Sequence, residues 1–324
     1  MQFHCKNCRF PFKPASGMKL LGAICPKCEH PLNLSVADRM FGKYEMLEVL
    51  GVGGYGTVFK AQELNNSLLF TLKLLRKADV SRADQVHLLR QIQSSRQMNH
   101  ASVVAAHDFG QEGDYWYLIS DYVEGLPLNE WVKRFNPAPY KSLHLCALIG
   151  DALQHIHDQQ LIHRDLKPGN IIIDEQQHPH IIDFGLCTSK RDSHLMTIER
   201  YRAAREAIKK AKSGRKKFIL GTPGYAAPEQ LVGESLSAKP ASDIYSLGVV
   251  LYELLANQKP ANRLSRLMNR RNLVSRLNSY HLDPADTKKI TQLCLSACSA
   301  KASKRPPSAL AFATACRSIS DPKT

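Results

Sequence analysis

The residues best suited to chemistry fall into a few short stretches. Cys5-Lys-Asn-Cys8 and Cys25-Pro-Lys-Cys28 are separated by sixteen residues, a spacing at which two tight turns offer four thiolates to one tetrahedral ion. With four protein ligands no position is left open for catalysis, so such an ion folds the segment and does not react. His4 and His30 flank the outer cysteines, but four thiolates suffice and both histidines read as surface residues. Further on, Leu50-Gly51-Val52-Gly53-Gly54-Tyr55-Gly56-Thr-Val58 forms a glycine-rich turn, whose backbone N–H groups can approach phosphate oxygens without Cβ interference. Lys73 lies within the apolar run Leu69 to Leu75, where a charge needs a partner such as a phosphate, or an edge from which its amine reaches water. His163-Arg164-Asp165-Leu-Lys167-Pro-Gly-Asn170 and Ile181-Ile-Asp183-Phe-Gly185 bring acids, an amine and an amide into two segments joined by the apolar strand Asn170 to Ile173.

These residues need scaffolding of two kinds. Tyr44 to Leu50 reads as a strand entering the glycine turn, Val58-Phe59 as the return strand, Asn65-Asn66-Ser67 as a polar turn and Leu69 onward as a third strand. A dinucleotide-binding fold would place a helix directly after the glycines; a β-rich continuation favours a hairpin lid. The first forty residues are too few to bury a sufficient core, and Phe3, Phe10, Phe12, Leu20 and Ile24 make only a thin one, so a bound ion would supply the missing stability. The whole chain of 324 residues can hold one two-lobed domain plus a small module.

Nine cysteines, four of them in the two pairs, suit reduced thiols and a metal site better than disulfides. No long apolar run or signal stretch is present, and a cytoplasmic location is expected. The formal net charge of +15 gathers in the first forty residues, in Cys187 to Leu220 and in Lys259 to Arg276. These are either contacts for acidic partners or solvated faces. Lys6, Arg9, Lys13, Lys19 and Lys27 would suit nucleic acid, though many such metal-bearing modules bind only protein.

From Tyr44 to the C-terminus the chain resembles the protein kinase superfamily. The motifs that carry the resemblance are the glycine turn, Lys73, the Asp165 and Asp183 segments, Gly221-Thr222-Pro-Gly-Tyr-Ala-Ala-Pro-Glu229, Ser242-Asp243-Ile-Tyr-Ser-Leu-Gly248 and Lys304-Arg305-Pro306, all in the family's order. Their style is similar to bacterial Hanks-type relatives of eukaryotic kinases. The resemblance implies an α+β, bilobal fold with a β-rich lobe over 44–123 and a helical lobe over 124–320. It would follow a zinc ribbon over 1–36 and a linker over 37–43, with an activation-segment insertion at about 190–217.

The same resemblance implies transfer of the γ-phosphate of ATP to serine or threonine in a protein, with ATP and Mg²⁺; the cysteine spacing, by itself, predicts a structural Zn²⁺ held by Cys5, Cys8, Cys25 and Cys28. Asp165 would accept the hydroxyl proton, Lys167 would steady the γ-phosphate, and Asn170 with Asp183 would hold Mg²⁺. Leu50 to Tyr55, Gly56, Val58 and Lys73 would contact the nucleotide, with Ser120, Asp121 and Val123 along the adenine strand and Ser120 as gatekeeper. Lys167 and the Gly-Thr222-Pro segment resemble the serine/threonine class. Glu229 would pair with Arg305, Asp243 would tie its helix to the catalytic loop, and Arg164 would receive a phosphorylated activation residue.

Two departures stand out. The helix expected from Asp79 to Met98 contains no glutamate, and the position that normally pairs with Lys73 is Gln91. An uncharged amide there gives a bond about 1 kcal/mol weaker, so slower or conditional catalysis is expected. The segment before Glu229 is long. Leu195, Ile198, Tyr201, Ala204, Ile208 and Ala211 recur at helical spacing, which predicts a basic amphipathic helix that either gates the substrate groove or is a solvated insertion. A basic activation segment suits acidic substrates. The Gln91 substitution keeps open a nucleotide-binding pseudokinase, and the basic ribbon keeps open a nucleic-acid-associated adaptor.

Overall fold

The computed structural model describes residues 3–320 except 6, 14, 16, 21–22, 33–34, 54–55, 80–97, 183–187, 190–221, 231–238 and 258–269. The chain forms two units, Met1–Arg96 with Ala105–Tyr122, and Gln97–Val104 with Val123–Thr324. The first is β-rich and the second mainly helical, the α+β arrangement of a bilobal fold.

In the first unit β1 (Phe3–His4) pairs antiparallel with β2 (Pro11–Phe12) beside the cysteines. Then follow α1 (Val36–Arg39), β3 (Met40–Phe41), β4 (Tyr44–Gly53), β5 (Gly56–Glu63), β6 (Leu69–Arg76), β7 (Ala106–Glu112) and β8 (Tyr115–Asp121). The last six strands make one sheet in the order β3-β4-β5-β6-β8-β7. β5 alternates buried and half-buried residues along its whole length, the period of a strand with one face on the core. Residues 37–43, expected to be a linker, instead carry the end of α1, then β3 and its turn into β4, and Arg39 is buried and ion-paired with Glu45.

The apolar core of this unit extends into the cysteine region. Phe3, Leu20, Ala23 and Leu32 cluster with Met46, Val49, Phe59, Ala61, Leu72 and Leu74. Ile24, expected in the core, is 58% exposed. The chain alternates around it, so its neighbours Ala23 and Cys25 turn inward and Ile24 turns out. A thin core of its own is therefore not what stabilises the N-terminal segment; it shares the sheet's core.

The second unit contains β9 (Gly125–Pro127), α2 (Leu128–Phe135), α3 (Pro139–Asp158), β10 (Leu161–Ile162), β11 (Ile171–Asp174), β12 (Pro179–Ile181) and β13 (Thr188–Ser189). It continues with α4 (Pro240–Ala256), α5 (Arg270–Asn278), α6 (Pro284–Ala297) and α7 (Ala309–Ser320). Every residue of α4 from Ser242 to Ala256 is buried, as expected of a helix apolar on all sides and surrounded by others. Gly248 permits that packing, since a Cβ there would lie 2.6 Å from the Cβ of Ala297 on α6. β11 pairs with both β9 and β12, and β10 pairs with β13. Together these short strands frame the segment from Leu161 to Ile181.

The bidentate pair of Glu229 and Arg305 fastens the segment preceding α4. Arg305 donates to the two carboxylate oxygens at 2.6 and 2.9 Å, and also to the carbonyls of Ala241 and Ser299. Burial pushes the Glu229 carboxyl upward, but the guanidinium and the Ser242 hydroxyl outweigh it and hold it below the ordinary range. A carboxyl depressed on folding contributes stability above its unfolded pKa, and that contribution is lost as pH falls below about 4. Arg305→Met should cost about 3–5 kcal/mol, because it leaves a half-buried carboxylate unpaired. The difference in melting temperature between the two proteins should shrink from pH 7 to pH 3; a constant difference would show that the charge pair is not its source.

Candidate active site

Asp165 lies in the segment between β10 and β11, and four donors converge on its carboxylate. Oδ1 accepts from the backbone N–H of Thr222 at 2.9 Å and from its hydroxyl at 2.7 Å. Oδ2 accepts from Lys167 Nζ at 2.8 Å and from the Asn170 amide at 3.3 Å. Lys167 also donates to the Thr222 hydroxyl at 2.9 Å, and the Asn170 amide donates to the Asp165 carbonyl at 2.9 Å. The structure thus brings Asp165, Lys167, Asn170 and Thr222 into one network. A carboxylate fixed in this way is a base with a set direction, next to an ammonium that can neutralise charge developing nearby.

The loop beneath this network is held from inside. Asp243, fully buried on α4, accepts from the backbone N–H groups of His163 at 2.9 Å and Arg164 at 2.8 Å, and from His157 Nε2 at 2.8 Å. Burial works against its ionisation, but the His157 bond, the charges of His157 and His163 and the Arg164 N–H together keep its carboxyl below the ordinary range. Arg164 is buried with φ of 68°, a left-handed conformation that a residue other than glycine keeps only where its surroundings impose it. Gln230 adds a second tie, donating to the Arg164 carbonyl at 2.8 Å while its own oxygen accepts from Ala227 N–H. Sequence reasoning singled out neither His157 nor Gln230. The only signal for His157 was its place on the last turn of the helix before the loop.

In the first unit the glycine-rich segment is the tip of the β4–β5 hairpin, with Gly51 opposite Val58, Val52 opposite Thr57 and Gly53 opposite Gly56. Gly56 has φ of 118°, and a Cβ on it would lie 2.1 Å from the Leu74 carbonyl, so no other residue fits. Gly51 faces open space, and Leu50 and Val52 are exposed apolar side chains on the same strand. Lys73 on β6 lies opposite Val58 of β5 and Leu118 of β8, which sets its position relative to the hairpin. Ser120 and Asp121 end β8, opposite Thr71 and Phe70. Asp121 accepts from His107 Nε2 at 2.5 Å, and Lys60 sits 4.3 Å over the ring of Tyr122. Val123 begins the longer of the two segments that make up the second unit.

Cys5, Cys8, Cys25 and Cys28 form a group whose sulfurs all lie within 4.8 Å of one another. The Cys5–Cys28 and Cys8–Cys25 sulfurs are 3.7 Å apart. Tetrahedral bonds of about 2.3 Å require about 3.8 Å between ligand sulfurs, so the donor set fits zinc. The two cysteine turns repeat each other: Cys5 and Cys25 N–H donate to the carbonyls five residues on, Phe10 and His30, and Arg9 and Glu29 carry φ of 56° and 57°. His4 and His30 are exposed.

Gly54, Tyr55, Gln91 and Asp183 lie outside the described residues, as do Cys187 and the expected insertion helix. So does the helix expected from Asp79 to Met98, apart from its two end residues. Among the described residues no helix is long and apolar enough to cross a membrane.

Thr222 offers a clean test of the network, because its hydroxyl is both a donor to Asp165 and an acceptor from Lys167. Thr222→Val keeps the shape and the backbone bond but removes the hydroxyl. It should lower kcat about tenfold to a hundredfold, with Thr222→Ser restoring most of it. A kcat unchanged in Thr222→Val would exclude the hydroxyl from the reaction.

Comparison with known proteins agrees with this geometry. The protein kinase domain model matches residues 44–315. Serine/threonine-protein kinase PrkC of Bacillus subtilis is 31% identical over 227 residues, 69% of this chain and 32% of the relative. Serine/threonine-protein kinase PknB of Mycolicibacterium smegmatis is 32% identical over 234 residues, 70% of this chain and 34% of the relative. PknA of Mycobacterium tuberculosis, also a serine/threonine-protein kinase, is 31% identical over 69% of this chain and 49% of its own length. The chain therefore spans about a third of PrkC and PknB. The match over residues 44–315, which runs through both the β-rich and the helical unit, shows that the chain belongs to the protein kinase domain family.

Proposed function

We propose that this chain is a serine/threonine protein kinase that transfers the γ-phosphate of Mg-ATP to protein hydroxyls. The observation that carries the reading is the Asp165–Lys167–Asn170–Thr222 network, a directed carboxylate beside an ammonium in one rigid loop. In this reading Asp165 accepts the hydrogen bond of the attacking serine or threonine and takes its proton as the bond to the γ-phosphorus forms and the bond from that phosphorus to the β–γ bridging oxygen breaks, releasing ADP. Lys167 steadies the γ-phosphate oxygens. The Asn170 amide nitrogen is engaged by the Asp165 carbonyl, which leaves its oxygen for a metal, with Asp183 as the second ligand. The transition state is loose, so alignment and fixed positive charge supply the catalysis. Leu50 and Val52 would pack on the adenine, the backbone from Gly51 to Gly56 would cover the phosphates and Lys73 would pair with them. Asp121 to Val123 would bond the adenine edge, and Ser120 would leave room behind it.

The four cysteines would hold a structural Zn²⁺, supported by the match of sulfur spacing to tetrahedral bond lengths. The basic stretch 190–217 is proposed to gate the substrate groove and to favour acidic substrates; its support is charge and helical spacing alone. Nothing in the geometry favours the pseudokinase or adaptor readings.

The direct test is incubation of the purified protein with Mg-ATP and a generic protein substrate, followed by phosphosite mapping. Phosphoserine and phosphothreonine should appear with the native chain and fall at least about a thousandfold with Asp165→Asn. Equal phosphorylation by Asp165→Asn, or none by the native protein, would reject the reading.

A further inference from the structure

The outer edge of β4 is not left open. Near its start it pairs with β3, and from Leu47 to Val49 it pairs with residues 17–20, which lie between the two cysteine turns. Gly17 N–H donates to the Val49 carbonyl at 2.6 Å, Val49 N–H to the Met18 carbonyl at 2.9 Å and Leu20 N–H to the Leu47 carbonyl at 2.8 Å. Lys19 and Glu48 face each other across this antiparallel bridge. Residues 17–20 thus act as an added strand on the edge of the sheet, and Leu20, at 1% exposure, anchors it in the core shared with Met46 and Val49.

The position of this contact matters. On its other side β4 pairs with β5, and the register there slips twice, between Met46 and Glu48 and again between Val49 and Gly51. The stretch where β4 is least regularly held by β5 is therefore the stretch where the N-terminal segment supplies three backbone bonds. Two residues beyond Val49 the strand enters the glycine turn at Gly51. Any freedom at Leu47–Val49 is passed to the backbone N–H groups that must lie along the phosphates.

In the chain, residues 17–20 lie between the two cysteine turns. A metal bound to all four sulfurs closes the loop from Cys8 to Cys25 and removes the conformational freedom that would otherwise oppose the pairing. Without it, the added strand keeps its three backbone bonds and the packing of Leu20, but a short strand so held is free to fray at its ends.

We propose that the metal in the four-cysteine site clamps residues 17–20 onto the edge of β4 and thereby sets the glycine-rich strand, so that nucleotide affinity depends on metal occupancy. The inference rests on the kinase and zinc readings above and deepens them. The N-terminal segment is then a positioning element of the nucleotide site, and loss of the metal lowers phosphoryl transfer through ATP binding.

The test uses the full chain, with bound zinc measured first by elemental analysis. Hydrogen exchange and the Kd for Mg-ADP are then followed in the loaded protein, after chelation under reducing conditions, and after zinc is restored. Removal should speed exchange at the amides of Val49, Gly17 and Leu20 by about tenfold or more and weaken Mg-ADP about three- to tenfold, while the amides of α4 are unmoved. Restored zinc should reverse both changes. Leu20→Ala, which leaves all four cysteines in place, should retain zinc yet reproduce the weaker Kd. Bound zinc whose removal changes neither exchange nor affinity overturns the inference alone, as does a Leu20→Ala protein with native affinity. A chain that holds no zinc overturns the metal reading and the inference with it.

Discussion

A single buried carboxylate sets the shape of the loop that carries Asp165. Asp243 has no access to solvent, and an ionised group there would be costly if unmet. It is met by two consecutive backbone N–H groups, His163 and Arg164, and by the imidazole of His157. Two successive N–H groups can aim at one carboxylate only if the backbone turns sharply between them, and Arg164 takes the left-handed conformation that this requires. The next residue is Asp165. Its direction, and hence its meeting with Lys167, Asn170 and Thr222, follows from a turn imposed by a side chain nearly eighty positions later in the chain. The buried helix α4 and the Glu229–Arg305 pair serve the same end, since they keep Asp243 and the Thr222 segment fixed relative to the loop.

The N-terminal unit follows a different logic. In the proposed reading its working part is backbone, the glycine turn of the β4–β5 hairpin, and backbone is positioned by its neighbours in the sheet. Gly56 is dictated by the Leu74 carbonyl pressed against it, and the β4 edge is covered by β3 and by residues 17–20. Covering an edge usually serves to prevent intermolecular pairing. Here the cover also continues the core, so the cysteine segment and the sheet form one packed body.

Much of the fold was legible in the sequence because its motifs are local. The strand–glycine–strand pattern gave the β4–β5 hairpin, and the run from His163 to Asn170 gave the loop, since each needs residue types that few other arrangements use. Contacts that depend on distant packing were not legible. His157 looked like any histidine on a helix face, because its partner Asp243 is brought to it only by the packing of α4 on α3. Gln230 carried no signal, as its bond to the Arg164 carbonyl depends on where the backbone turns. Composition made the cysteine segment look like a separate module with its own thin core and a linker. The mistake lay in assigning Ile24 inward and in not foreseeing that Leu20 and Leu32 would find their partners on the kinase sheet.

The claim that the Asp243 carboxylate orients the loop is tested most directly by single-turnover phosphoryl transfer in Asp243→Asn, corrected for the folded fraction by circular dichroism. The amide turns one acceptor into a donor facing N–H groups, so the account predicts a rate lower by about a hundredfold with the Mg-ADP affinity of the folded protein within about threefold of native. A folded variant that transfers phosphate at the native rate would contradict it.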